Sequence, residues 1–359
     1  MIIDEILQLP PFSLDKAKKK ELLTERLACL TKRHIANCPE YAAMMRGIGC
    51  DAEKCESFHD LPFLPVSLFK ELDLKSIPSD DVFKIMTSSG TTGQAVSKIY
   101  LDRVTAGAQQ RALVKIVSSF TGSERMPMLI IDSPSVIKNR DMFSARGAGV
   151  LGFSIFGADK AYALNDDMEI DIHAVSAFLE KHQGKRMLLF GFTFMVWNYF
   201  YKELLKFDHK FDLQNGILIH GGGWKKITGE AVSKTDFKQR LADICGLRKI
   251  HDYYGMVEQT GCIYMECEFG HLHAGIFSDI ITRRHTDFSP CDFGEAGIVQ
   301  AVSVLPESYP GHSLLTEDEG VIMGEDDCRC GRKGKYFHIN GRLKMAEIRG
   351  CSDTYATGR

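Results

Sequence analysis

The sequence predicts an α/β fold built on parallel or mixed sheets, with a helical start and a small β-rich subdomain towards the C-terminus. Three observations predict it. Apolar residues recur at helical spacing from Leu22 to Ile35, short apolar runs then alternate with helical stretches, and from Gly297 onward the pattern breaks into brief strands and turns. The 359 residues are 44% hydrophobic and 25% charged, an ordinary water-soluble composition able to bury a large core. A net charge of -3 provides no global field for nucleic acid or an anionic membrane.

Taken in order, Ser13 is positioned to cap a helix whose apolar positions are Leu22, Leu23, Leu27, Leu30 and Ile35. Pro39 suits the first turn of a second helix ending near Gly47 and Gly49. A strand is expected around Phe83–Met86, then strands at Met128–Ile131, Met187–Phe190 and Gly216–His220. Helices are expected near Ala106–Ser118, Ile172–Lys181 and Lys234–Cys245, and late strands at Ile298–Val304, Gly320–Met323 and Tyr336–Ile339. The expected organisation is a helical segment 1–80 packed on the core, an α/β core 81–295, a β-rich subdomain 296–345 and a short flexible tail 346–359. No apolar run reaches the roughly 18 residues of a membrane span, and Met1-Ile-Ile-Asp-Glu lacks the basic and apolar parts of an export signal. The expected location is therefore the cytoplasm, with the 11 cysteines serving as reduced thiols, metal ligands or a nucleophile.

The sharpest local signal is Thr87-Ser-Ser-Gly-Thr-Thr-Gly93, an unbroken run of hydroxyls and glycines after a strand. Ser88, Ser89, Gly90, Thr91, Thr92 and Gly93 suit a polyphosphate, because glycine lets backbone N–H groups approach closely and hydroxyls add donors. The same residues also suit a surface turn, and no lysine follows Gly93, which separates the run from the Gly-Lys-Ser/Thr nucleotide loop.

The order of this run resembles the signature loop of the adenylate-forming acyl and aryl ligases, and further matches follow in register. Gly221-Gly222-Gly223 resembles the segment beside adenine. Tyr254-Gly255-Met-Val-Glu258 resembles the element whose tyrosine lies by the base and whose glutamate serves Mg²⁺. Thr316-Glu-Asp318-Glu-Gly320 resembles the element whose aspartate holds the ribose, and Gly341-Arg342-Leu-Lys344 the hinge that follows. The resemblance implies ATP and Mg²⁺ as cofactors and the fold of the N-terminal domain of those enzymes. Only nine residues follow Gly350, so the mobile C-terminal lid domain is expected to be lacking.

Longer strings resemble one branch, the acyl-protein synthetases of the bacterial fatty-acid reductase complex known from bioluminescence. They are Phe143-Ser-Ala-Arg-Gly-Ala-Gly149, His220-Gly-Gly-Gly-Trp-Lys-Lys226, Ser308-Tyr-Pro-Gly-His-Ser-Leu-Leu315 and Ala346-Glu-Ile-Arg-Gly-Cys-Ser-Asp353. This resemblance implies activation of a long-chain fatty acid and acyl transfer to the enzyme's own Cys351, for delivery to an acyl reductase partner. Arg349 and Lys344 are placed to lower the thiol's pKa, and Lys225 and Lys226 are candidates for the lysine a lid would supply. The alternative is a ligase that passes an aryl or acyl group to coenzyme A or a carrier-protein thiol.

Two features complete the reading. Cys267, His271 and His273, with Cys328-Arg-Cys330 further on, offer a tetrahedral Zn²⁺ set of Cys267, His273, Cys328 and Cys330. Related aryl-coenzyme A ligases carry a similar pattern. Cys262 is the substitute ligand, and two unrelated thiol pairs remain the alternative. Phe190, Gly191, Phe192 and Phe194 are the apolar candidates for an acyl pocket, with Gly191 expected to leave room for substrate and ordinary core packing as the alternative.

Overall fold

A computed structural model describes residues 2–50, 56–88, 95–138, 145–207, 211–223 and 232–343. Its strands are β1 (Leu64–Pro65), β2 (Lys84–Thr87), β3 (Lys98–Leu101), β4 (Met126–Ile130), β5 (Gly157–Tyr162), β6 (Met187–Phe192) and β7 (Gly216–Gly221). They continue as β8 (Lys249–Tyr254), β9 (Tyr264–Glu266), β10 (Leu272–His273), β11 (Ser278–Arg283), β12 (Ala296–Ser303), β13 (Ser313–Glu325) and β14 (Lys335–Arg342). Contacts group the chain into two units, Met1–Ile116 with Gly255–Arg359, and Val117–Tyr254.

In the first unit, helix Lys16–Asn37 buries Leu22, Leu23, Leu27 and Leu30 of the stripe read from the sequence, and leaves its fifth member, Ile35, half-buried. Its cap differs from expectation. The Asp15 carboxylate accepts from the Lys18 amide at 3.0 Å, whereas the Ser13 hydroxyl donates to the Pro10 carbonyl at 2.8 Å. Helix Pro39–Gly47 begins on its proline as expected. The buried face of the long helix also carries charge. The Lys19 ammonium donates to the Ala274 carbonyl at 3.0 Å and pairs with buried Asp279 at 3.4 Å, which removes the cost of an isolated buried cation. The sheet of this unit runs β11-β12-β13-β14-β10-β9 with antiparallel neighbours, and β1 lies parallel on β13 through Leu64 and Leu314. A separate β2–β3 hairpin completes it. β13 is longer than the expected Gly320–Met323, because irregularities at Glu319/Gly320 and Ile322/Gly324 break the alternation that would have advertised one strand.

The second unit is a parallel sheet in the order β5-β4-β6-β7-β8. Its inner strands β4, β6 and β7 are buried on both faces, the outer β5 and β8 less so, and Leu129, Leu189, Leu218, Trp197 and Phe237 share one core. Helix Ile172–Lys181 starts where Asp171 accepts from the Ala174 amide at 2.9 Å, and helix Lys234–Cys245 starts on Ser233.

These units cut across the linear boundaries expected at 80/81 and 295/296. Residues on either side of the 117–254 segment pair with each other, as Leu64 does with Leu314, so the early helical segment and the late β-rich segment share one unit. Among the described residues, no helix is long and apolar enough to cross a membrane.

Candidate functional site

Chemistry-bearing residues of the first unit gather around the β2–β3 hairpin and a single tight turn. Of the hydroxyl-rich run, Ser89, Gly90, Thr91, Thr92 and Gly93 lie outside the described residues; its stem does not. Thr87 pairs with Lys98, the Ser88 amide donates to the Ser97 carbonyl at 3.2 Å, and the Ser97 amide donates to the Ser88 hydroxyl at 2.9 Å. Ser88 therefore closes the base of the loop. Glu258 sits in the short turn Val257–Gln259, only 6% exposed, with its carboxyl beside the Ser97 hydroxyl. Burial pushes that carboxyl above the usual glutamate range, and Ser97 opposes the shift.

Asp318 lies half-buried on β13, where its amide donates to the Thr316 hydroxyl at 3.1 Å and that hydroxyl donates to the Val299 carbonyl at 2.8 Å. Antiparallel register sets Asp318 opposite Arg342 on β14, so the structure brings these two candidates together. Gly255 opens the segment and is exposed. Lys344, Arg349 and Cys351 lie outside the described residues.

In the second unit the strand order reverses direction between β4 and β6, and ligands of open parallel sheets bind beyond the carboxyl ends of strands at such a point. Asp132 follows β4, Phe192 ends β6, Gly221 ends β7 and is followed by Gly222 and Gly223, and Tyr254 ends β8. Gly221 packs flush on the Tyr253 ring, which a side chain there would strike. Buried Asp132 pairs with Arg146 at 3.1 Å. Thr193 bonds His220 Nδ1 at 2.9 Å, and Asp252 takes an ion pair from Lys234 at 3.1 Å. Trp224, Lys225 and Lys226 lie outside the described residues.

The aromatic segment corrects one expectation. A Cβ on Gly191 would lie 2.9 Å from that of Ile131 and 3.0 Å from a Val196 methyl, so neighbouring side chains occupy the space expected for substrate. Phe190 is fully buried and stacks on Phe153 with ring centroids 4.3 Å apart, while Phe192 and Phe194 are half-buried.

The metal candidates converge. Ligand atoms of Cys267, His273, Cys328 and Cys330 all lie within 4.8 Å of one another. A zinc tetrahedron with Zn–S bonds of about 2.3 Å has edges of about 3.8 Å. Cys330 Sγ is 3.3 Å from His273 Nε2. Two turns make the cluster. The Cys267 amide donates to the His271 carbonyl at 2.8 Å between β9 and β10, and the Gly331 amide donates to the Cys328 carbonyl at 2.9 Å between β13 and β14. β10 pairs with both β9 and β14, which brings the two turns side by side. Burial lowers His273 to about 4, keeping the imidazole neutral with a lone pair to give, and pushes the Cys328 thiol up to about 12. A dication is the group that would hold such thiols as thiolates, so the donor set fits zinc. Cys262 is elsewhere, donating to the Phe277 carbonyl at 3.3 Å beside the Ser303 hydroxyl.

Comparison with known proteins decides the family. The model of the family described as acyl-protein synthetase, LuxE, matches residues 1–357. The chain belongs to the acyl-protein synthetase family. Such a protein is an enzyme, a ligase. A long-chain-fatty-acid–luciferin-component ligase of Vibrio harveyi is 25% identical over 367 residues, covering 98% of this chain and 92% of that protein. Its counterpart in Aliivibrio fischeri is 24% identical over 313 residues, covering 84% and 79%. The open conformation of a 2-hydroxyisobutyryl-CoA ligase, solved with 2-HIB-AMP and CoA, superposes with a TM-score of 0.70 at 15% identity, covering 93% of this chain and 77% of that one. A long-chain-fatty-acid–CoA ligase of Archaeoglobus fulgidus gives 0.50 at 14% identity, covering 76% and 54%. These structures establish the fold, that of the adenylate-forming ligases.

Three features of this acyl-protein synthetase escaped the sequence reading. Ser97 carries no motif of its own, and its place beside Glu258 arises only from the hairpin. Asp132 sits in no singled-out string, and Arg146, though inside Phe143–Gly149, carries no local sign of its partner; the two meet only because helix Ala145–Phe153 follows β4. Tyr309 lay inside a quoted string, yet nothing local links it to Glu258, whose carbonyl it bonds at 2.8 Å.

Proposed function

We propose that this acyl-protein synthetase activates a long-chain fatty acid with ATP and passes the acyl group to its own Cys351, from which a reductase partner takes it. A carboxylate oxygen attacks the α-phosphorus of ATP, the bond from that phosphorus to the α,β-bridging oxygen breaks, and pyrophosphate departs with that oxygen, leaving an acyl-adenylate. The Cys351 thiolate then attacks the carbonyl carbon, the bond to the AMP oxygen breaks, and a thioester remains. The observation that carries this reading is the family match over residues 1–357, supported by what the Vibrio harveyi relative's name says of long-chain fatty acids.

Under this reading the run 87–93 cradles phosphates with backbone amides, Thr91 and Thr92 adding hydroxyl donors. Glu258 serves as the Mg²⁺ ligand, Asp318 binds the ribose hydroxyls with Arg342 alongside, and Gly221–Gly223 with Tyr254 take the adenine. Burial favours the neutral form of the Glu258 carboxyl, and a dication bound there would supply the charge that holds it as the carboxylate. When bound, Mg²⁺ supplies the positive charge that steadies the departing pyrophosphate. Phe192 and Phe194 remain the candidates for contact with the alkyl chain, with Phe190 behind them.

Incubation with ATP, Mg²⁺ and a tetradecanoic-type acid, followed by peptide mapping, tests the proposal. An acyl mass on Cys351 is expected, absent without ATP and absent in Cys351→Ser, which should still exchange pyrophosphate. Pyrophosphate release with no acyl-enzyme in the unmodified protein would transfer the reading to an external thiol such as coenzyme A.

We further propose that Cys267, His273, Cys328 and Cys330 hold a structural zinc that ties the two turns together. Elemental analysis should find about one zinc per chain. Cys330→Ser and chelation should each lower the melting temperature, because an ion bound only by the folded state stabilises it. A fully reduced, folded protein without zinc would remove the proposal.

A further inference from the structure

The motif Ser308-Tyr-Pro-Gly-His312 takes no part in the chemistry above, yet it is buried along its length and holds the turn that carries Glu258. One end is anchored beside the β2–β3 hairpin. The Ser308 carbonyl accepts from the Ser76 amide at 2.7 Å, and its hydroxyl donates to the carbonyl of Tyr100 on β3 at 2.8 Å. From there the Tyr309 ring lies edge-on to Phe69, and its phenol donates to the Glu258 carbonyl at 2.8 Å. Gln109 Nε2 donates to the same phenol oxygen at 3.1 Å, leaving the phenol proton to point at Glu258. The Gly311 carbonyl accepts from Gln259 Nε2 at 2.9 Å. A Cβ at Gly311 would lie 2.9 Å from the Glu258 carbonyl oxygen and would run into the Tyr309 ring, so only glycine lets the two segments meet.

The turn Val257–Gln259 is a single 3₁₀ turn with no ladder of its own to fix it. Besides its own Gln259 amide bond to the Met256 carbonyl at 3.2 Å and the Thr260 hydroxyl's bond to the Val257 carbonyl at 2.8 Å, this set of side-chain bonds holds it, with Gln259 Nε2 also donating to the Ala301 carbonyl at 2.9 Å. Because Tyr309 is fully buried, its phenol keeps its proton and remains a donor.

We propose that Tyr309, oriented by Gln109, is a positioning residue for Glu258. Its hydrogen bond fixes the height of the turn, so that the carboxylate meets its cation in one geometry. The inference rests on the reading of Glu258 as the Mg²⁺ ligand, and supporting partners of metal ligands are typically worth about 10- to 100-fold in affinity or activity.

The test is the dependence on free Mg²⁺, measured on the full chain, of two readouts: calorimetric binding of a non-hydrolysable ATP analogue, which needs no turnover, and fatty-acid-driven ATP–pyrophosphate exchange. Tyr309→Phe keeps the ring and removes only the donor. It should need about 10- to 100-fold more Mg²⁺ for half-maximal binding and exchange, with kcat recovering at saturating Mg²⁺ and KM for the fatty acid unchanged. Gln109→Met, which removes the orienting donor, should shift the same curve by less, and it carries the test if Tyr309→Phe fails to fold. Leu23→Ala, a core truncation in helix Lys16–Asn37, should lower the melting temperature without moving the Mg²⁺ curve. A Tyr309→Phe curve superimposed on that of the unmodified protein overturns the inference. Glu258→Gln separates the two levels: if it leaves the Mg²⁺ dependence intact the reading of Glu258 fails, and if it alone shifts the curve only the role of Tyr309 fails.

Discussion

His34 and His312 stack ring on ring with centroids 4.9 Å apart, both buried and both closed in by Tyr41. Thr31 bonds His312 at 2.9 Å and Ser76 bonds His34 at 2.7 Å, so each imidazole has a neutral hydroxyl partner. Burial, with Arg26 nearby, holds His312 down to about 3 from its ordinary 6.5, and burial with the neighbouring His312 lowers His34 well below it. The sign follows from proton counting. Between pH 6.5 and about 3 the unfolded chain binds protons that the folded chain refuses. Stability is therefore complete above pH 6.5 and is lost progressively as the pH falls towards 3, at up to about 1.4 kcal/mol per unit for each histidine. His312→Gln should melt lower than the unmodified protein near neutrality, because it gives up the stack. Its melting temperature should nonetheless fall less between about pH 7.5 and about pH 5, since one of the two refused protons is gone. Equal falls in the two proteins would show that this pair does not govern the acid limb.

The helix Lys16–Asn37 shows how far element-scale reading reaches. Its apolar stripe was legible because Leu22, Leu23, Leu27 and Leu30 repeat at 3.6-residue spacing, and all four are buried. Its start was not legible, because Ser13 and Asp15 are both good caps and only the fold decides between them. Asp15→Ala should therefore cost about 1 kcal/mol in denaturant unfolding and Ser13→Ala much less; the reverse order would return the cap to Ser13. The convergence of Cys267, His273, Cys328 and Cys330 was legible for a different reason: cysteine and histidine at turn spacing are rare enough to point to one another. β10 pairing with both β9 and β14 is what places Cys328 and Cys330, and not Cys262, beside Cys267 and His273. Gly191 misled because glycine signals close approach without saying by what, and here Ile131 and Val196 fill the space. Ser97 and Tyr309 were illegible, since a hydroxyl facing Glu258 across a long sequence separation leaves no periodic trace.

For the whole chain, the two units differ in how far apart in sequence their contacts are drawn. The segment Val117–Tyr254 is continuous, and β4 to β8 each pair with a strand close in sequence, as β6 does with β7 and β7 with β8. The other unit is closed by residues from both sides of that segment. Leu64 pairs with Leu314, the Lys19 ammonium reaches the Ala274 carbonyl 255 positions away, and the Lys16 amide reaches Asp326 across 310. Closing loops of that length costs entropy before any distant contact repays it, and domains rich in long-range pairings fold more slowly. Each unit has a buried cluster of its own, one including Leu129, Leu189 and Leu218, the other Tyr41, Phe69, Tyr309 and Leu314, so the early unit need not wait for the late one. Pulse-labelled hydrogen exchange during refolding should therefore show amides of β4, β6 and β7 protected in an earlier phase than those of β1, β12 and β13. Simultaneous protection of both sets would mean that the continuous segment cannot hold its sheet alone and that the chain folds as a single cooperative unit.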